Sequence, residues 1–278
     1  MPDDELLVEI LECENDTCIG HITLNSPETL NSLTLNMVNE MSLLLDKWEV
    51  DPNIKMVILS GSDEKAFCAG GDIRALYESM CSSKGPIFAE KFFESEYRLD
   101  YKMHRYSKPI ISILDGIVMG GGAGLMFASS YKIATERTRF AMPEIGVGLF
   151  PDVGFTSIIK MLPKGLGLYM MLTSTQLTAF DTIFCGLTNA SIYSKDIERL
   201  LVDLTKEVWH DDPEENLSII DSLVNNHSYT NKIKDLPVSK IMKELDNIQS
   251  LTNEQELSKV CANILLNPTD DDWYLRGK

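Results

Sequence analysis

The sequence has little with which to hold a metal or a disulfide framework. Its six cysteines (13, 18, 68, 81, 185 and 261) form no CxxC pair, and its four histidines are well separated. In a chain of 278 residues that pattern excludes a zinc site and a disulfide scaffold, and leaves reduced thiols. Positive charge is scarce: 25 Lys and Arg stand against 42 Asp and Glu, a formal net charge of −17. So acidic a surface repels nucleic acid and anionic membrane, and an anionic substrate needs a local basic patch. No long uninterrupted apolar run occurs either. The most apolar stretch, Ile110 to Ala128, contains Asp115 and five glycines, which excludes a membrane span. The N-terminal MPDDELLVEI is neither a secretory signal nor an Arg-rich transit peptide, and the C-terminal WYLRGK is no retention or peroxisomal address. A cytoplasmic protein is the expectation. Three nucleotide and hydrolase signatures are missing. GGGAG at 120–124 would need glycine where Leu125 stands to read as a dinucleotide fingerprint. There is no Gly-Lys-Ser/Thr P-loop and no G-x-S-x-G elbow.

What is present is a core-forming chain with 44% hydrophobic residues. Leu6–Leu11 and Cys18–Leu24 have strand character around a polar turn, Glu14 to Asp16. Met37, Met41, Leu44 and Trp48 recur on one face of a helix. Lys55–Leu59 is a short apolar run suited to a buried parallel strand. Strand, helix, strand argues for an α/β crossover. Asp72 is placed to cap a helix over Ile73–Met80. Ser82–Pro86 reads as a loop before a helix that buries Phe88, Phe92, Leu99 and Met103; Glu96 on that helix reads by default as a solvated charge. After residue 152, helices dominate: Ile197, Leu200, Leu201, Leu204 and Val208 share a face, and Thr252 with Gln255 has the spacing of a capping box. The expected organisation is an α/β core over residues 1–190 and a helical region over 191–278.

The chemistry concentrates between Lys108 and Asp152: a buried strand, a triple glycine, a helix, a second strand, and a loop carrying Glu144 and Asp152. Gly70-Gly71 forms another glycine turn after a strand, for which a plain strand-to-helix turn is the bland reading. Backbone N–H groups are free where a strand hands over to a helix. Two such donors on one carbonyl oxygen make an oxyanion hole. A carboxylate beside it, with its pKa raised by Ile145, Val147 and Phe150, can serve as acid, base or nucleophile.

Four segments carry a family resemblance: ITLNSPETLNSLTLNM, KAFCAGGDIRALYE, GIVMGGGAGL and FAMPEIGVGLFPDVG. In this order, over about Gly20 to Asn189, they resemble the crotonase (enoyl-CoA hydratase/isomerase) superfamily, and within it the 3-hydroxyisobutyryl-CoA hydrolase branch. The resemblance implies a spiral of repeated ββα units with a C-terminal helical region, binding an acyl-CoA thioester. It implies an oxyanion hole of Gly71 and Gly121, Glu144 as main catalytic carboxylate, and Asp152 as the second. It implies that Glu96 hydrogen-bonds the acyl hydroxyl, and that backbone at Ala66, Cys68 and Ile73 lines the adenine end of coenzyme A. No metal and no cofactor beyond the coenzyme A of the substrate is implied. A homo-oligomer, trimer or hexamer, is implied, with a mitochondrial address as the alternative to the cytoplasm. Hydratases of the family carry a glutamate where this chain has Gly124, so hydrolysis is expected ahead of hydration. Isomerisation through Glu144 alone, or a binding fold without turnover, are the alternatives. The tail LNPTDDDWYLRGK shows no counterpart of the family's last helix, so either the chain end is truncated or divergent, or a partner subunit closes the site.

Overall fold

The alternating strands and helices fold as two sheets wound by one spiral. The computed structural model describes residues 4–81, 85–228 and 239–266. Strands β1 (Leu6–Glu12) and β2 (Cys18–Leu24) pair antiparallel around the Glu14–Asp16 turn. Asn15 and Asp16 there take φ of 57° and 56°, the left-handed region that short Asn and Asp side chains tolerate best. Helix α1 (Leu35–Glu49) starts where the Thr34 hydroxyl accepts the Met37 N–H, a cap worth about 1 kcal/mol. It buries Met37, Val38, Met41, Leu45 and Trp48. Strand β3 (Ile54–Gly61) then runs parallel to β2. Its side chains alternate between two cores, Val57 and Leu59 in one and Met56 and Ile58 in the other, so both faces of the sheet are covered.

From here the chain passes back and forth between the two sheets. Strands β4 (Ala66–Cys68), β6 (Ile117–Met119), β8 (Arg139–Ala141) and β9 (Leu177–Thr178) form the smaller sheet. Strands β5 (Ile110–Leu114), β7 (Tyr131–Thr135) and β10 (Ala190–Ile192) extend the larger one in the order β1-β2-β3-β5-β7-β10. Helices α2 (Ile73–Met80) and α3 (Gly85–His104) follow β4, and α4 (Gly121–Ala128) follows β6. The apolar stretch after Pro109 is therefore two strands in two sheets. The break lies at Asp115-Gly116, where Gly116 has φ +85° and a Cβ would lie 2.3 Å from the Lys65 carbonyl. Buried Asp115 holds the corner, accepting hydrogen bonds from the Thr135 hydroxyl at 2.6 Å and the Arg137 guanidinium at 2.9 Å.

Other local expectations shift. Residues 82–84 of the expected loop lie outside the described residues, while Gly85 and Pro86 already belong to the first turn of α3, where proline's missing N–H costs nothing. The sheet runs on to residue 192, because β10 pairs parallel with β7. Beyond it lie α8 (Ile197–Thr205), α9 (Pro213–His227), α10 (Lys240–Thr252) and α11 (Leu257–Leu266); α5 (Phe155–Ile158), α6 (Leu166–Thr173) and α7 (Ala179–Phe184) precede it. Val208 falls past the end of α8 and is exposed. Thr252 is no N-cap: its hydroxyl donates back to the Ile248 carbonyl in the last turn of α10. A capping box does exist, at Thr178 and Asp181 opening α7.

Candidate active site

The two glycine turns meet face to face. Leu33 pairs with the first: its N–H donates to the Gly70 carbonyl at 2.7 Å, and its own carbonyl accepts the Asp72 N–H at 3.0 Å. In this parallel bridge the Gly71 N–H points away from Leu33. Asp72 then caps α2, accepting the Ala75 N–H at 2.9 Å. The triple glycine opens α4 against this turn, and each glycine answers to a different constraint. Gly120 has φ +51°, the left-handed side that glycine takes without strain. A Cβ on Gly121 would lie 2.1 Å from Glu96 Oε1. A Cβ on Gly122 would lie 2.3 Å from the Cys68 carbonyl oxygen. Gly121 is the first residue of α4, so its N–H has no acceptor within the helix. A Cβ built on Gly70 would lie 3.5 Å from that same Gly121 nitrogen, so the two glycine turns pack closely against each other.

Carboxylates surround it. Glu144 opens the 3-10 turn Glu144–Val147 and is 6% exposed. Its Oε1 lies 3.5 Å from the position of a Cβ on Gly120. Neither Glu144 oxygen has a hydrogen-bond partner among the described residues. Burial, helped by the charge of Asp152, pushes the Glu144 carboxyl up to about 7. The apolar neighbours expected to do this do not: Ile145, Val147 and Phe150 are all exposed. Only the first residue of the turn is buried. Glu96 is 3% exposed, so its solvated reading is overturned. Helix α3 packs on α4 and drives this side chain over Gly121. Burial first, then Asp152 and Glu144, push its carboxyl up to about 8. The Tyr97 hydroxyl donates to Asp152. Next to Asp152, Val153 is buried with φ +41°, a strained conformation for a β-branched residue.

Asp152 also borders a cavity of about 520 Å³ with Asp100, Gly124, Phe127, Phe150 and Val153. Ala66, Cys68 and Ile73 are not among its lining residues. Ala66 and Cys68 are fully buried in β4, the Ala66 carbonyl accepting from Asn31 Nδ2 at 2.8 Å, while Ile73 is exposed at the start of α2. No group of three or more His, Cys, Asp or Glu among the described residues could hold a metal ion. No described helix is long and apolar enough to cross a membrane.

A family model described as enoyl-CoA hydratase/isomerase matches residues 19–276. The chain belongs to the enoyl-CoA hydratase/isomerase family. It is 44% identical over 185 residues to the mitochondrial 3-hydroxyisobutyryl-CoA hydrolase of Danio rerio, covering 66% of this chain and 48% of that one. It is 37% identical over 252 residues to the mitochondrial 3-hydroxyisobutyryl-CoA hydrolase of Homo sapiens, covering 90% and 63%. This family member thus spans about half to two thirds of the length of these relatives. Its fold matches a crystal structure described as a carnitinyl-CoA dehydratase from Mycobacterium thermoresistibile, with TM-score 0.82 and 30% identity over 99% of this chain and 74% of that one.

Two residues at the site of this enoyl-CoA hydratase/isomerase family member went unnoticed in the sequence. Tyr97 holds Asp152, and Asp100 presents two buried oxygens with no hydrogen-bond partner among the described residues. Spacing carried a signal for Asp100: it lies four residues after Glu96, on the same side of α3.

Proposed function

We propose that this chain hydrolyses a short, branched 3-hydroxyacyl-CoA thioester, of the 3-hydroxyisobutyryl-CoA kind, to the free acid and coenzyme A. The observation that carries the reading is the buried, unpartnered Glu144 carboxyl beside the Gly120-Gly121 turn. The names of the relatives point the same way. So does Gly124, a position at which hydratases of the family carry a glutamate and this chain carries no side chain.

In this reading the thioester carbonyl oxygen sits on the Gly71 and Gly121 N–H groups, which stabilise the tetrahedral oxyanion by several kcal/mol. Glu144, ionised above about pH 7, either attacks the carbonyl carbon or takes a proton from the water that does. The C–S bond breaks, and the departing thiolate takes a proton through Asp152, which Tyr97 holds in place. If Glu144 attacks, the resulting anhydride is opened by water and the carboxylate is regenerated. Glu96 hydrogen-bonds the acyl hydroxyl, and the adenine end lies along the backbone near Ile73, with Ala66 and Cys68 behind it. A trimer or hexamer is the proposed assembly. A mitochondrial setting is proposed over a cytoplasmic one, because both quoted relatives carry that word in their names.

The test is thiol release from 3-hydroxyisobutyryl-CoA by the wild type and by Glu144→Gln. Turnover lost by at least about 100-fold in the variant is expected, the scale of losing a general base. Equal rates in the two proteins refute the hydrolase reading. Double-bond migration in an enoyl ester without thiol release selects an isomerase, which would also use Glu144 alone.

A further inference from the structure

Helix α3 delivers two carboxyls onto α4, not one. Glu96 stands over Gly121, 2.1 Å from where its Cβ would be. One turn further, Asp100 stands over Gly124, with Oδ2 at 2.8 Å and Oδ1 at 3.0 Å from a Cβ built there. The two residues are offset by about 6 Å along the helix axis, four residues at about 1.5 Å each.

Asp100 is otherwise unexplained. Both of its oxygens are out of solvent and without a hydrogen-bond partner among the described residues. Asp100 belongs to the lining of the cavity, together with the polar Tyr97, His104 and Asp152 and the apolar Phe127, Val153 and Ile158, while Glu96 stands behind that lining. A buried polar group with no partner is rare in native proteins, and inside a cavity its ordinary explanation is a ligand group. We propose that Asp100 is a specificity-determining residue, which together with Glu96 holds a single hydroxyl two or three carbons from the thioester carbonyl. The inference rests on the thioester reading of the site.

The geometry selects that ligand group. With the carbonyl oxygen on Gly121, an acyl chain running along α4 toward Gly124 brings its third or fourth carbon between Glu96 and Asp100. Burial, then the charges of Glu96 and Asp152, hold the Asp100 carboxyl well above the usual carboxylate range. A neutral carboxyl both donates and accepts, and so does a hydroxyl. A carboxylate on the acyl chain would add one more anionic group to a site already crowded with carboxyls. A plain alkyl chain would leave Asp100 without a partner.

The experiment uses the full chain carrying Glu144→Gln, so that esters bind without turning over. Calorimetry gives its affinities for 3-hydroxyisobutyryl-CoA and isobutyryl-CoA, which differ by one hydroxyl. The hydroxy ester is expected to bind about 10- to 100-fold more tightly, the scale at which a site built to bond a hydroxyl begins to reject its absence. Adding Asp100→Leu is expected to cut that ratio about 10-fold. Adding Asp100→Asn, which keeps the shape and hydrogen bonds of the neutral acid, is expected to retain it. A ratio unchanged by Asp100→Leu, or no preference before that change, overturns the assignment. So does a ratio lost equally in the Leu and Asn proteins with both melting temperatures lowered, since that is structural damage. Failure of the hydrolase reading is distinguishable: wild type would release no thiol while the affinity ratio persisted.

Discussion

The Glu96 carboxylate occupies the space of the side chain that Gly121 lacks, with Oε1 2.1 Å from the position of a Cβ there. The contact sets the start of α4 directly against a buried carboxyl on α3. Gly121→Ala is expected to push Glu96 aside, because the obstructing atom is the end of a flexible side chain. The fold should survive, and alanine favours the helix by about 1 kcal/mol over glycine. Thiol release should fall by about 100-fold with the melting temperature nearly unchanged. An unimpaired Gly121→Ala enzyme would separate Glu96 from the reaction.

One residue along, the same substitution should act differently. A Cβ on Gly122 would lie 2.3 Å from the Cys68 carbonyl oxygen, which is backbone of β4 and cannot swing away. Gly122→Ala is expected to destabilise the protein by about 1–3 kcal/mol, the range for an overpacked core. Paired chemical denaturation curves of the Gly121→Ala and Gly122→Ala proteins check this ordering.

The raised carboxyls set the sign of the pH response. Glu96 is pushed up to about 8 and Glu144 to about 7, both above the usual carboxylate range. Between the ordinary and the raised values the folded state binds more protons than the unfolded chain, so stability falls as pH rises through that window. The wild type is therefore expected to melt at a lower temperature at pH 8 than at pH 5.5. Glu96→Gln, which carries no such titration, should flatten the slope. Activity should run the other way, rising through about pH 7 as Glu144 ionises. A thermal-melt series at constant ionic strength, with pH–rate profiles of both proteins, measures both trends.

Tyr97→Phe removes the hydroxyl that donates to Asp152 and leaves the ring in place. Half-exposed Tyr97 contributes little to the core, so the melting temperature should hardly move. On the proposed role of Asp152 in leaving-group protonation, a fall in kcat of about 10-fold with a small change in KM is expected, because a misplaced Asp152 would fail at that step while the ester still binds. A change confined to KM would assign Tyr97 to ester binding.

Local signals carried much of the architecture. The strand character of β1 and β2, the apolar face of α1, the Asp72 cap and the glycine turns are all encoded within a few neighbouring residues, and these elements formed where the pattern placed them, although Leu45 rather than Leu44 is the residue α1 buries fully and β1 leaves Leu7, Val8 and Ile10 exposed. The fold followed from family segments in a fixed order. Less legible were the break at Asp115-Gly116 and the true cap at Thr178, because a continuous apolar run does not state which sheet each half will join.

For the site, the sequence by itself determined which residue types were available: glycine at 71 and 121, carboxylates at 144 and 152, and no carboxylate at 124. Tertiary structure decided what state those groups are in. Glu96 reads as a surface charge on its own helix, and becomes a buried acid only because α3 packs on α4. Ile145, Val147 and Phe150 look like the wall around Glu144, and turn out to face solvent. Spacing puts Asp100 on the Glu96 side of α3, but it acquires meaning only over Gly124, 24 positions later in the chain. A carboxyl's proton affinity depends on the water it loses and the charges it meets. Both are set by segments far apart along the chain, and no local pattern records them.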